Sequence, residues 1–262
     1  MDQLKWVSLA QQDDLLPKKK DLPVPEDHQN LVFMAKLSEQ AERYDEMVVF
    51  MRKIVKINSE LSIEERNLLS VAYKNVIGSR RTSWRIASSI EAKERERNNN
   101  DSLPLVQMYR KQFELEIGAV CDDIIGLLET YLIPAANNGE AKAFFLKMKG
   151  DYHRYYAETA SGDEQKNKAF EAYNKALDIA MSTLTSTHPI RLGLVLNFSV
   201  FYYEILKQTQ KGLSLAKSAY EEASTEMENL DEETYKEATL ITQLLKDNIA
   251  LWQEDEMRGE DN

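Results

Sequence analysis

From His28 onward, apolar residues recur at three- and four-residue intervals, and no stretch shows the two-residue alternation of a strand. The periodicity predicts helices over 28–42, 44–57, 62–97, 104–131, 139–160, 164–184, 188–207, 210–228 and 231–254. Breakers separate them: Asn98-Asn99-Asn100-Asp101-Ser102, Pro134 with Asn137-Asn138-Gly139, Ser161-Gly162-Asp163, His188-Pro189, and the stretch from Gln208 to Lys211. Ser62 followed by Glu65 makes a capping box for the third helix, and Pro104 suits a first helical turn. Residues 28–254 therefore read as one all-α, antiparallel helical domain. The ends differ from it. Residues 1–27 contain Pro17, Pro23, Pro25 and Lys18-Lys19-Lys20, and read as a flexible extension in which Leu4, Trp6, Val7 and Leu9 form at most a short docking element. Residues 255–262 complete the acidic run QEDEMRGEDN and read as a short disordered tail.

One pair of charges stands out against this pattern. Lys74 and Arg81 are seven residues apart, almost two full turns, so both project from nearly the same face of the third helix. Leu68, Leu69, Val71, Ala72, Val76 and Ile77 occupy its other faces and hold the helix in a core. Two cations fixed on a packed rod form an anion receptor. Further along, Lys147, Arg154 and Tyr155 add donors. Asn197 sits in a strip with Leu192, Leu196 and Val200, and Glu204 follows it after seven residues. Leu240, Leu244, Asn248 and Trp252 form a second i, i+4 row, with Ile241 beside it. An amide on an apolar strip suits an extended peptide, because Asn pairs with a peptide N–H and C=O at once while Leu, Ile and Val supply desolvated contact area.

Composition narrows the partners. With 33 Lys and Arg against 44 Asp and Glu, the net charge of −11 argues against general nucleic-acid binding and against adhesion to an anionic membrane. A local basic site still binds one phosphate, since charges act mainly within a Debye length of ~8 Å. Only 9 Gly and 6 Pro occur in 262 residues, which favours long helices. Cys121 is the sole cysteine, in an apolar-periodic segment, and reads as a small buried hydrophobe. No apolar run reaches membrane-spanning length and no signal-peptide core is present, so a cytoplasmic or nuclear location is expected.

The segments AERYDEM, ERNLLSVAYKNVIGSRR, SSIE, LKMKGDYHRY, THPIRLGL, LNFSVFYYEI and LLKDN together resemble the 14-3-3 family, and the resemblance covers essentially all of 28–253. It implies nine helices in an L-shaped protomer and a W-shaped homodimer with two amphipathic grooves, each taking a phosphoserine or phosphothreonine segment of a client protein. By the same resemblance, Lys74, Arg81, Arg154 and Tyr155 would clamp the phosphate, and Asn197 and Asn248 would hold the peptide backbone. Leu196, Val200, Leu240, Ile241 and Leu244 would line an apolar wall, with Glu204 and Trp252 completing the floor. Leu37, Ser38, Ala41, Tyr109 and a pair between Arg43 and Glu116 would serve the dimer interface. Glu46 and Gln112 stand where the family often has an intersubunit ion pair, which implies one bridge fewer and an altered choice among homo- and heterodimers. Ser83, after Arg80-Arg81-Thr82, matches a regulatory phosphosite. His153 replaces the usual Tyr and is expected to be partly exposed.

Two other readings compete. GDYHRYYAE followed by AFEAYNKALDIA resembles a tetratricopeptide pair, which would make the chain a scaffold for unphosphorylated peptides, but no 34-residue period runs through 28–97. An enzyme is the weaker reading. The chain has no Gly-rich phosphate loop and no HExxH, and His28, His153 and His188 are its only histidines, so neither a catalytic role nor a metal or cofactor is expected.

Overall fold

Residues 24–97 and 101–260 are described by a computed structural model, and they contain helices and turns but no strand. Nine long helices follow in chain order: α1 (His28–Gln40), α2 (Tyr44–Ile57), α3 (Ile63–Glu96), α4 (Leu103–Leu127), α5 (Gly139–Ala157), α6 (Glu164–Thr183), α7 (Pro189–Val200), α8 (Thr209–Glu226) and α9 (Glu232–Glu260). Their starts have local causes. Ser62 Oγ accepts from the Glu65 amide at 3.2 Å while the Glu65 carboxylate accepts from the Ser62 amide at 2.8 Å, which completes the expected capping box of α3. Asp27 caps α1 and Asn138 caps α5 in the same way, with side-chain oxygens accepting from amides three residues on. Pro134 has no amide hydrogen and its ring crowds the carbonyl four residues earlier. The chain accommodates it by widening the end of α4 into a π turn, Leu128–Leu132, before the short segment Ile133–Ala135.

Some ends lie where no turn residue announced them. α1 stops at Gln40, two residues short of the expected 42, because Glu42 takes a left-handed conformation (φ 54°). Lys207, with the same φ, separates the π turn Phe201–Ile205 that prolongs α7 from α8. Gly162 (φ 88°) marks the α5–α6 turn where its freedom is required. α9 runs to Glu260, so the acidic segment from 255 is helical rather than disordered as far as it is described. Tyr203 donates to Asp255 at 2.5 Å and Gln210 to Glu256, tying this extension to the α7–α8 region. At the other end Val24 packs on the core, whereas the docking element expected around Leu4–Leu9 lies outside the described residues.

Consecutive helices pack on one another and bury three clusters. The first joins α1 to α5 around Phe50, Ile54, Leu69, Tyr73, Ile117 and Ile124. Cys121 belongs to it and is fully buried as expected, and burial pushes its thiol well above the ordinary range. A second cluster joins α5, α6 and α7 around Tyr173, Phe198 and Phe201, and a third joins α7, α8 and α9 around Leu192, Leu213, Leu245 and Trp252. Each fully buried Leu, Ile or Phe stabilises the fold by about 1.5–3 kcal/mol. His153 is 3% exposed, not partly exposed, because α6 covers it.

Gly150 decides how closely α5 meets α6. A Cβ there would lie 2.7 Å from Cδ1 of Tyr173, whose ring also stacks on Phe198 at 5.1 Å. Gly150→Ala is therefore expected to destabilise the chain by ~1–3 kcal/mol. Gly126→Ala, at an exposed position of α4 with nothing near its Cβ, should instead stabilise by ~0.5–1 kcal/mol. Urea unfolding of both variants checks the opposite signs.

Candidate anion-binding groove

α3 and α5 bring their cations together. Arg81 Nε and Nη2 donate to Glu158 Oε2 and Oε1 at 2.9 and 2.6 Å, a bidentate pair from mid-α3 to the last turn of α5. Arg154 Nη1 lies 3.9 Å from the same carboxylate and Arg85 Nη2 lies 3.5 Å away, so three guanidiniums share one glutamate. Tyr155 presents its ring to two of them, with Cζ of Arg81 and of Arg154 at 4.1 and 4.5 Å from its centroid. Lys74 stands on the same side of α3, exposed and without an ion pair among the described residues.

Arg154 is only 6% exposed, and a buried charge needs partners. Its Nε donates to the Tyr173 hydroxyl at 3.1 Å and its Nη2 to Asp151 at 3.5 Å. Asp151 collects three further donors: the Tyr173 hydroxyl at 2.6 Å, Asn197 Nδ2 at 2.8 Å and Lys147 Nζ at 2.9 Å. Burial alone would push the Asp151 carboxyl up, but Lys147, Arg154 and the Tyr173 hydroxyl hold it below the usual carboxylate range. The network also sets what remains available. Nη1 of Arg81 and of Arg154 makes no hydrogen bond among the described residues, so each guanidinium keeps one edge of donors for a ligand. Because Asp151 accepts from the Asn197 amide nitrogen, the Asn197 carbonyl oxygen is left as an acceptor for a peptide N–H.

α7 and α9 supply the apolar side. Leu196, Val200 and Ile241 are half-buried against the third cluster, while Leu240 and Leu244 are 68% and 46% exposed. Asn248 is half-buried and Glu204 exposed. Trp252 differs from expectation. It is 3% exposed and stacks on Tyr203 with centroids 4.7 Å apart, so it supports the α7–α9 contact from within and offers a peptide no open surface. Three groups were not assigned from sequence: Glu158, Asp151 and Leu251, the last 54% exposed and on the Leu240–Leu244 face of α9. The two acids stand four residues after and three before Arg154, the spacing of helical ion pairs, and that signal was legible.

The residues expected at a dimer interface fall into two groups. Leu37, Ala41 and Tyr109 are exposed, whereas Ser38 is buried inside the single chain. Within the chain Arg43 pairs with Glu46, one helical turn away. Glu116 instead accepts from Gln112 at 3.1 Å and lies 3.6 Å from Arg80, which also pairs with Asp45 at 2.7 Å. Ser83 is half-buried and donates to the Ser79 carbonyl at 3.0 Å.

The helical array thus carries a basic cluster on α3 and α5 and an amide-bearing apolar strip on α7 and α9. The family model described as 14-3-3 protein matches residues 34–253. The chain is 59% identical over 229 residues to the 14-3-3-like protein GF14 chi of Arabidopsis thaliana, covering 86% of each. It is 57% identical over 229 residues to a 14-3-3-like protein of Solanum tuberosum, covering 86% of this chain and 88% of that protein. It is also 55% identical over 232 residues to 14-3-3 protein epsilon of Drosophila melanogaster, covering 87% of this chain and 88% of the relative. The chain belongs to the 14-3-3 family, which supports a role in binding client proteins and sets aside the tetratricopeptide reading. Among the described residues no helix is long and apolar enough to cross a membrane, and no cluster of His, Cys, Asp and Glu is placed to hold a metal ion.

The stability that Asp151 confers is complete above the ordinary aspartate value of ~3.9 and is lost as pH falls through its lowered folded value. Asp151→Asn should cost ~3 kcal/mol or more at neutral pH, because Lys147 loses its partner and the buried Arg154 keeps only the more distant Glu158. It should also flatten the acid side of the stability profile. Thermal unfolding of wild type and variant from about pH 7 to 3 measures both effects.

Proposed function

We propose that this chain is a non-catalytic adaptor that recognises phosphoserine and phosphothreonine segments of client proteins and thereby regulates their activity, localisation or interactions in signalling. The observation that carries this reading is the convergence of Arg81 and Arg154 on Glu158 and Tyr155, with Nη1 of each guanidinium making no hydrogen bond among the described residues. A phosphate brings about −1.5 to −2 charges and three acceptor oxygens, which suits two planar forks, the Lys74 ammonium and the Tyr155 hydroxyl. Asn197 and Asn248 then hold the ligand backbone, and Leu196, Val200, Leu240, Ile241 and Leu244 take its apolar side chains. Glu204 stands at the polar edge. Trp252, buried beneath, fixes the α9 wall.

Two copies make the working unit in this reading. Ile86, Ile90, Leu105, Met108 and Tyr109 line an apolar groove of about 490 Å³ between α3 and α4, and Phe33 and Leu37 leave α1 with exposed apolar surface to fill it. Twin grooves in a homodimer, or a heterodimer with a related chain, raise avidity for doubly phosphorylated clients by ~10²–10⁴ when the geometry allows. The cytoplasm, with access to the nucleus, is the compartment that suits such clients.

Fluorescence anisotropy with an Arg-Ser-x-Ser-x-Pro peptide, phosphorylated or not on its second serine, tests the clamp. Micromolar or tighter binding of the phosphopeptide alone is expected, weakened about 100-fold or more by Arg81→Glu. Equal affinity for both peptides would remove the phosphate from the reading. Ser83 lines the α3–α4 groove, so a charge placed there meets desolvation within the proposed dimer interface. Ser83→Glu should shift sedimentation from dimer towards monomer, and an unchanged coefficient would reject Ser83 as a switch.

A further inference from the structure

α5 is also buried about 100° round from Arg154, where it meets α6. His153, next to Arg154 in sequence, is 3% exposed and meets α6, where its Nδ1 lies 2.7 Å from Gln165 Oε1. Its Nε2 is buried with no hydrogen-bond partner. Whichever nitrogen carries the proton of the neutral ring, a second proton adds a buried charge. The charged groups facing the ring are Glu129 at the end of α4, Lys149 on α5, and Glu164 and Lys168 on α6. Both carboxylates are already engaged, Glu129 with Lys149 and Glu164 with Lys168, each at 2.7 Å. An imidazolium would have to break one of these pairs or leave the seam.

Burial accordingly holds this imidazole below the ordinary histidine range; the Gln165 contact opposes that, and Lys149 and Lys168 add to it. The sign follows. A closed seam that excludes the proton is fully stable above the ordinary value of ~6.5 and loses stability as pH falls below it, because the opened seam takes up the proton. The same seam carries the bond from Arg154 to the Tyr173 hydroxyl of α6, eight residues beyond Gln165 and ~12 Å along the helix.

We propose that His153 is a positioning residue for the clamp, and that its protonation opens the α5–α6 seam and draws Arg154 and Tyr155 out of register with a bound phosphate. Client binding then weakens as the surroundings acidify, by more than the titration of the phosphate accounts for. This inference rests on the phosphopeptide reading above, and its test separates the two.

The full chain and the variants His153→Tyr and His153→Gln are compared at about pH 7.5 and 5.5, a range that spans the ordinary histidine value. Anisotropy with one phosphopeptide gives the ratio of affinities at the two pH values. The ligand's own second pKa of ~6 affects all three proteins alike and cancels between them. Hydrogen–deuterium exchange of the ligand-free proteins, corrected for intrinsic rates, reads the seam independently of any peptide. The wild type is expected to lose ~3–10-fold more affinity than either variant on acidification, and to show faster exchange in α5 and α6 at the lower pH that the variants lack. Equal affinity ratios, or exchange that accelerates equally in all three, would overturn the proposal. If no protein binds the phosphopeptide at either pH, the adaptor reading fails and the coupling with it. The exchange data would still show whether the seam responds to His153.

Discussion

Arg154 places a full positive charge in the interior, and much of the surrounding structure follows from satisfying it. A buried guanidinium without partners would cost several kcal/mol, so Asp151, Tyr173 and Glu158 are arranged around its nitrogens. Those partners lie one turn to either side on α5 and across the seam on α6. Gly150 is what allows Tyr173 to come close enough to reach both Arg154 and Asp151. Through Asp151 the same charge orients Asn197 on α7, and through Glu158 it draws in Arg81 from α3. One interior charge thus ties four helices into the wall of the groove.

The electrostatics of the whole chain give that wall its meaning. At net −11 the surface repels anions in general, yet Arg81, Arg85, Lys147 and Arg154 gather around only two carboxylates, Asp151 and Glu158. Glu158 offsets part of the mutual repulsion of the guanidiniums and holds them in one geometry. Little reorganisation is then needed when an anion with more charge and more acceptors arrives, which is how preorganisation favours binding. The exposed Leu240 and Leu244 on α9 carry little cost in water as single side chains.

The seam between α5 and α6 links these features to His153. Its two parts are chemically distinct: a polar network in which Arg154, Asp151 and the Tyr173 hydroxyl hold one another, and a histidine beside it that has one partner and one orphaned nitrogen. Networks that are completely satisfied rigidify a core, while an unsatisfied group marks where it yields first. The α3–α4 groove near Ser83 is lined mostly by apolar side chains, so a charge introduced there would meet little to solvate it once the groove is covered.

The sequence by itself determined the helices, because 3.6-residue periodicity and capping residues act within a few positions of one another. The capping box at Ser62 and Glu65, the first-turn Pro104 and the break at Gly162 all stand where the residues indicated. The breaks near Glu42 and Lys207 were legible to within two residues, but their left-handed backbone was not, because neither residue favours it and packing of the flanking helices imposes it. The same division holds at the groove. Lys74 and Arg81 were legible as a pair because one helix fixes their spacing, whereas their meeting with Arg154 and Tyr155 followed only from family resemblance. Only the tertiary structure decided that Glu158 answers three arginines, that Trp252 and Ser38 turn inward, and that His153 is sealed beneath α6. Those outcomes depend on which helices lie side by side, and that is set by burial summed over the whole chain rather than by any local run of residues.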